Sequence, residues 1–162
     1  MSAWAVFVDT LADEFSDIAD LQLATRVTLR LLLAALLGAL LGYEREYHGK
    51  AAGVRTHMLV ALGSALFVLV PQLDGAWDDA MSRVVQGVIA GVGFLCAGTI
   101  LKNDSQANVK GLTTAAGIWL TCAIGVAVGM GKSLTAVLAT LLGLFVLNTV
   151  ARVLDRLDQR KS

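Results

Sequence analysis

The stretch "GLTTAAGIWLTCAIGVAVGMG", Gly111–Gly131, carries no charged residue over 21 positions. About 20 apolar residues in an α-helix cross the hydrocarbon core of a bilayer. Small residues recur at every fourth position for most of its length, at Thr113, Gly117, Thr121, Gly125 and Gly129. Residues four apart share a helix face, and small ones let membrane helices approach closely. The stretch therefore predicts a membrane span with one face for tight helix packing.

Composition extends this prediction to the whole chain of 162 residues, 56% of which are hydrophobic, with a mean hydropathy of +0.69. Four further uncharged runs are Leu31–Tyr43, Met58–Leu73, Val84–Leu101 and Ser133–Ala151. They are too long and too uniformly apolar for barrel strands, and a helix satisfies its own backbone hydrogen bonds in lipid. The sequence predicts an all-α membrane protein with a bundle of five transmembrane helices over residues 26–151. Four spans plus one tilted or re-entrant segment is the alternative, because the first run is short.

The first 25 residues predict an amphipathic, acidic N-terminal helix that lies on the outer membrane interface. One face is apolar and aromatic, with Trp4, Phe7, Leu11, Phe15 and Ile18 at helical spacing. Asp9, Asp13 and Asp17 repeat every four residues on another face. We interpret the aspartates as a solvated face, with a weak divalent-cation site as the alternative.

Lysine and arginine in the short connections predict the orientation. Nine fall on one side, namely Arg45, Lys50, Arg55, Lys102, Lys110, Arg152, Arg156, Arg160 and Lys161. The other four, Arg26, Arg30, Arg83 and Lys132, fall on the opposite side. The N-terminus is therefore predicted outside and the C-terminus inside, with residues 152–162 as a short basic cytoplasmic tail.

Pairs of glycines four apart also predict helix packing. They are Gly38 and Gly42 in the first span and Gly87 and Gly91 in the third, in addition to Gly117, Thr121, Gly125 and Gly129 of the fourth. We expect the third and fourth spans to pack tightly, against each other or against a second copy of the chain. A homo-oligomer is one predicted assembly, and another inner-membrane protein is the alternative partner.

The polar connection "GYEREYHGKAAGVRTH", Gly42–His57, is wedged between two apolar runs. One interpretation is a polar cluster at the inner mouth of the bundle, in which Arg45 and Arg55 bind an anion or the carboxylates of a partner. The other is a loop that sets the orientation and pairs with itself, since Glu44 and His48 lie one helical turn apart. Thr56 is a candidate N-cap for the second span.

Metal, catalytic and cofactor chemistry is not predicted. No regular helical spacing joins Glu44 and His48 with His57, and the serines have no histidine at a matching depth. No Asp, Glu, Lys or Arg lies in the middle of a span, whereas a proton or cation relay usually places one there. A net charge of zero gives no general nucleic-acid footprint. We therefore predict a non-enzymatic protein whose environment is the lipid bilayer.

Several blocks of the sequence, taken together, resemble the MgtC/SapB family of bacterial membrane proteins. The blocks are "LGALLGYERE" (37–46), "GVRTHMLVALGSALF" (53–67), "QGVIAGVGFLCAGTIL" (86–101) and "VKGLTTAAGIWLTCAIGVAVGMG" (109–131). The resemblance runs from about Leu31 to Ala151 and implies a five-span inner-membrane protein. It also implies a virulence factor needed for survival in macrophages and for growth at low magnesium, with inhibition of the ATP synthase and changes in membrane potential as mechanisms.

The resemblance carries a functional cluster over to this chain. Its members are Glu44, Arg45, Arg55, Thr56, His57, Gln86, Lys110, Thr113 and Thr114. Two features depart from the family pattern: Cys96 stands where members often have glycine, and the chain is expected to be a short member without the soluble C-terminal domain. The expected function is regulatory, through helix contacts with a membrane partner. The alternative is a small transporter or channel for magnesium or another ion.

Overall fold

The computed structural model describes residues 2–16, 20–73, 75, 79–100 and 110–150. Within these ranges every regular element is helical: α1 (Ala3–Glu14), α2 (Leu21–Tyr47), α3 (Val54–Leu73), α4 (Asp79–Ile100), α5 (Leu112–Gly129) and α6 (Ser133–Phe145), which continues as a π-helical turn (Val146–Val150). The last five helices, with α6 taken to Val150, are long and apolar enough to cross a membrane. The predicted all-α architecture with five spans is confirmed, and the short first run belongs to a continuous helix of 27 residues.

The N-terminal helix is shorter than the predicted 1–25. Helix α1 ends at Glu14, and α2 begins at Leu21, where the Asp20 side chain accepts a hydrogen bond from the Leu23 amide at 2.6 Å. Residues 21–25 thus belong to the first span, because Asp20 caps a new helix there. The predicted positions Asp17 and Ile18, the loop with Lys102, and the tail 152–162 lie outside the described residues.

Helix α5 forms the axis of the bundle. Ten of its 18 residues are buried, and it contacts α2, α3, α4 and α6. By contrast, two of the 22 residues of α4 are buried, and α4 packs against α3 and α5 at the periphery. The stretch of sequence with the most regular small-residue spacing is therefore the helix that the others surround.

Glycines set the close approach of α3 to its two neighbours. A Cβ at Gly38 of α2 would lie 2.6 Å from the carbonyl oxygen of His57, and one at Gly129 of α5 would lie 2.5 Å from that of Ala65. A Cβ at Gly125 would overlap the carbonyl oxygen of Ala61. The small residues that recur at every fourth position of α5 therefore face the second span, α3, rather than the third span, α4. At Gly125 and Gly129 a side chain would overlap the backbone of α3, so only a glycine hydrogen fits there.

One arginine ties the opposite end of the bundle together. Arg30 of α2 donates from Nη1 to Gln72 Oε1 at 2.9 Å and to the Gly129 carbonyl oxygen at 3.0 Å. A cation at the C-terminus of α5 satisfies an unpaired carbonyl and complements the helix dipole. Gly131, with φ of 78°, then turns the chain into α6.

Candidate functional site

Three ionisable residues are buried where α2 ends and α3 begins. Glu44 and Arg45 lie in the last turn of α2, His57 lies in the first turn of α3, and their exposed fractions are 6%, 3% and 0%. Charged side chains are seldom this buried unless they are paired. We refer to Glu44, Arg45 and His57 as the buried polar cluster.

An ion pair neutralises most of the charge in the buried polar cluster. Arg45 donates to both carboxylate oxygens of Glu44, from Nε to Oε2 and from Nη2 to Oε1 at 2.8 Å. His48 Nδ1 lies 3.1 Å from Glu44 Oε1 and 2.8 Å from the Glu44 carbonyl oxygen. Arg45 is therefore held by its own neighbour, Glu44, and the binding of an anion or of a partner's carboxylates through Arg45 and Arg55 stays a prediction.

His57 is fixed by the backbone rather than by a carboxylate. Its Nδ1 lies 2.9 Å from the Gly53 carbonyl oxygen, one turn earlier. Because a carbonyl only accepts, Nδ1 carries the hydrogen in this bond. Among the described residues no group of three His, Cys, Asp or Glu side chains could hold a metal ion. His57 and His48 each contact the backbone carbonyl four residues earlier, at Gly53 and Glu44.

The start of α3 is capped by Glu46 and not by Thr56. Glu46 Oε2 accepts a hydrogen bond from the Val54 amide at 2.9 Å, and Thr56 is the third residue of the helix. The expected N-cap role of Thr56 is therefore wrong. A carboxylate from the end of α2 can reach the free amides because the connection folds back on itself.

An open cavity of about 1080 Å³ lies beside the buried polar cluster. It is bounded by the connection after α2, the end of α4 and the start of α5, and its polar lining comprises Lys50, Thr56, Thr99, Lys110 and Thr114. Each sequence block that carries the family resemblance, except the first, contributes residues to the lining of this cavity. Two lysines, Lys50 and Lys110, are among the described residues of this lining.

The structure divides the predicted functional cluster into separate places. Glu44, Arg45 and His57 are packed together, while Thr56, Lys110 and Thr114 line the open cavity. The remaining three, Arg55, Gln86 and Thr113, are exposed and line neither this cavity nor the groove described next.

A second concave surface, which we call the α3–α4 groove, has a volume of about 460 Å³ and is almost entirely apolar. Gly63 of α3 and Gly87 and Gly91 of α4 line it, and a Cβ at any of these glycines would meet nothing within 4 Å. Ser64 and Cys122 also line it, and Ser64 Oγ donates to Cys122 Sγ at 3.2 Å. This pair is not evident from the sequence, because the two residues are 58 positions apart.

Comparison with known families identifies the chain. The sequence profile described as MgtC family matches residues 31–156. This chain belongs to the MgtC family. The matched range covers the last four spans and the greater part of the first, so the protein is a multi-pass membrane protein of that family. No solved structure matches it.

Curated relatives of this chain differ in length and in name. Protein SrpB of Synechococcus elongatus is 47% identical over 138 residues, which cover 78% of this chain and 76% of SrpB. A protein of Escherichia coli strain K12 named "Putative magnesium transporter YhiD" is 41% identical, over 80% of this chain and 62% of YhiD. Protein MgtC of Brucella abortus is 42% identical, over 60% of this chain and 40% of that protein. This chain therefore spans well under two thirds of the last of these.

Proposed function

We propose that this member of the MgtC family is a non-enzymatic regulatory protein of the bacterial inner membrane. It acts during magnesium limitation, through helix contacts with a membrane partner. Relatives named MgtC and magnesium transporter support the link to magnesium. The resemblance described above adds intracellular survival and virulence as the setting, and the ATP synthase and the membrane potential as targets.

The observation that carries this proposal is the uncovered α3–α4 groove. Three glycines line it without contacting any described side chain. In lipid, helices associate through small residues that allow backbone contact and not through a hydrophobic driving force. A transmembrane helix that enters the groove would therefore find the same kind of surface that α5 offers to α3.

Two occupants of the α3–α4 groove follow from the family and the fold. One is a helix of a second copy of this chain, and the other is a helix of another inner-membrane protein such as the ATP synthase. Both depend on backbone contact at Gly91, so one substitution tests the mode of action for either. Cross-linking then tells the two partners apart.

Ion transport is the alternative, and the name of the Escherichia coli relative favours it. The open cavity would serve as the vestibule, and the polar groups of its described lining are hydroxyls and the ammonium groups of Lys50 and Lys110. Magnesium prefers oxygen ligands with negative charge. Beyond the cavity, the backbones of α3 and α5 touch at Gly125, which leaves no room for an ion between them. The regulatory function is therefore better supported.

Catalysis receives no support from the side chains that could act as nucleophile and base. Ser64 donates to Cys122, and His57 Nδ1 is engaged by the Gly53 carbonyl. A nucleophile needs a base within hydrogen-bond reach. None of the three relatives named above carries the name of an enzyme.

Growth at low magnesium tests the regulatory proposal. We expect Gly91→Leu to be made and folded at the wild-type level, because a side chain there meets nothing within 4 Å, yet to fail to restore growth of a deletion strain in low magnesium. Gly93→Leu is the matched control, since Gly93 also meets nothing within 4 Å but does not line the groove. Wild-type growth with Gly91→Leu would contradict the proposal.

Flux measurements separate regulation from transport. Purified protein in sealed liposomes with an internal magnesium indicator should admit no more magnesium than empty liposomes. Specific flux that disappears in Arg55→Gln or Thr114→Leu would establish transport instead. A disulfide-linked dimer of Gly91→Cys would identify a second copy as the occupant of the groove, and a cross-link to an ATP synthase subunit would identify the other partner.

A further inference from the structure

The open cavity and the α3–α4 groove adjoin each other along α4. Gly91 and Leu95 of this helix line both of them. From these residues the cavity extends past Gly98 towards the end of α4, and the groove extends in the other direction, past Gly87. Because two residues one helical turn apart belong to both linings, one elongated molecule can extend from the cavity into the groove.

The cavity contains groups that can bind a phosphate. Lys50 lies in the connection between α2 and α3, and Lys110 lies two residues before α5. A lysine has three N–H donors, so it can contact a phosphate oxygen while it keeps another partner. Thr56 and Thr114 add hydroxyl groups to the same lining. These residues lie near helix ends, which is the depth at which a membrane protein meets the lipid headgroups.

The formal charges at this end of the bundle favour an anion. The two connections that meet here, residues 42–57 and 101–111, contain five basic and three acidic residues. One of the acids, Glu44, already pairs with Arg45. Excess basic residues beside membrane spans attract the headgroups of anionic lipids.

The groove, by contrast, fits a hydrocarbon chain. Its lining is almost entirely apolar, and a Cβ at Gly63, Gly87 or Gly91 would meet nothing within 4 Å. The rise of α4 from Thr99 in the cavity to Gly87 in the groove is about 18 Å, at 1.5 Å per residue. One leaflet contributes about 15 Å to the hydrocarbon core of a bilayer, so the length of this surface matches one acyl chain.

We propose that an anionic phospholipid binds along α4, with its phosphate beside Lys50 in the open cavity and one acyl chain in the α3–α4 groove. A soluble anion would leave the groove uncovered, and a zwitterionic lipid would bring a second positive charge towards the lysines. A transmembrane helix of a partner would fill the groove but not the polar cavity. The lipid site does not depend on the proposed regulatory function, although a partner helix at Gly91 would displace the acyl chain.

Native mass spectrometry of the full chain, released from micelles of a neutral detergent, tests the headgroup contact. We expect phosphatidylglycerol to bind about fivefold more weakly to Lys50→Gln than to the wild type, which is the change for one lysine near a membrane surface. Lys132→Gln is the matched control and should bind like the wild type, because Lys132 is exposed at the opposite end of the bundle. Equal affinities of Lys50→Gln and the wild type would overturn the proposal.

A pair of leucine variants tests occupation of the cavity. Gly98→Leu should fold, since a Cβ at Gly98 meets nothing within 4 Å, but its side chain would fill the space of the headgroup and abolish phosphatidylglycerol binding. Gly93 is equally open and lines neither the cavity nor the groove, so Gly93→Leu should bind like the wild type. Unchanged binding in Gly98→Leu, or an equal loss in both variants, would contradict a lipid in the cavity.

Competition and cross-linking distinguish the lipid from other occupants. Phosphatidylglycerol should bind more tightly than phosphatidylcholine and should remain bound in excess inorganic phosphate, which has no chain for the groove. A photoreactive group at the end of one acyl chain should label residues 59–67 or 84–95, which border the groove. Displacement by inorganic phosphate, equal affinity for the two lipids, or labelling confined to other parts of the chain would overturn the proposal.

Discussion

Individual side chains in this protein make contacts that their local sequence conceals. Arg45 pairs with the residue immediately before it, although consecutive helix positions do not normally face each other. Glu46 turns instead to the start of the next helix. Both contacts depend on α3 folding back over the end of α2. Only then are Glu44 and Arg45 buried, and a buried charge without a partner raises the free energy of the folded state.

Removal of one charge from the buried ion pair should be strongly destabilising. We expect Glu44→Gln to lower the free energy of unfolding by about 3 kcal/mol, because Arg45 would remain buried without its carboxylate. Titration of the micelle-bound protein with a denaturing detergent measures this value.

Glu46→Gln is the matched control for that measurement. It makes the same chemical change two residues further along the same helix, but Glu46 is exposed. The glutamine oxygen can still accept from the Val54 amide, so the loss should stay below about 1 kcal/mol. Equal losses for the two variants would mean that burial of the Glu44–Arg45 pair has no energetic consequence.

At the scale of helices, burial separates α5 from α4. The two have similar apolar sequences with glycines four apart, but α5 is enclosed by its neighbours and α4 leaves Gly87 and Gly91 uncovered. A small-residue pattern shows that a face can pack closely, and it does not show against which helix. The regularly spaced small residues of α5 face α3. The glycines four apart in α4 predict a contact with a helix outside this bundle, and that contact stays a prediction.

Glycine substitutions in the α3 interface should reflect this difference. Gly125→Ala should lower the free energy of unfolding by about 2 kcal/mol, because the new Cβ must push α5 away from the Ala61 carbonyl oxygen. Gly63→Ala on α3 is the matched control and should be neutral or stabilising, since nothing lies within 4 Å and alanine favours the helix. A stable Gly125→Ala variant would show that the two helices are not in backbone contact.

The whole molecule has a polar cavity at one end and an arginine tie at the other. The ends of α2 and α4 and the starts of α3 and α5 meet around Lys50 and Lys110, whereas Arg30 joins α2, α3 and α5 at the far end. Positive residues near short connections favour the cytoplasm. We therefore propose that the open cavity faces the cytoplasm and that the N-terminus lies outside.

Cysteine labelling in intact cells checks this orientation. In a background in which Cys96 and Cys122 are alanine, Asp79→Cys should react with a membrane-impermeant maleimide added outside, because Asp79 is exposed at the start of α4. Lys50→Cys is the counterpart at the opposite end and should react only after the cells are permeabilised. The reverse pattern would invert the topology.

Much of the fold was predictable because the free energy of placing a segment in lipid depends mainly on the composition of that segment. The five spans follow from five apolar runs, each assessed by itself. The start of the first span at Leu21 was not predicted from the sequence. Asp20 can cap a new helix there only because α1 has already ended at Glu14. In the candidate site, Glu44, Arg45 and His57 were selected from the sequence, but their enclosure and the separation of Arg55, Gln86 and Thr113 from them required the fold.

The sequence by itself determined that this chain is a five-span, all-helical membrane protein with the blocks of the MgtC family, because hydropathy and spacing are properties of contiguous residues. Only the tertiary structure decided which faces meet. Arg30 reaches a carbonyl 99 positions away, Gly125 presses on α3, and Gly117 lies against the side chains of Arg45 and His57. These contacts join residues that are distant along the chain, and their energies depend on close packing and on the exclusion of bulk water, which arise only when the helices assemble.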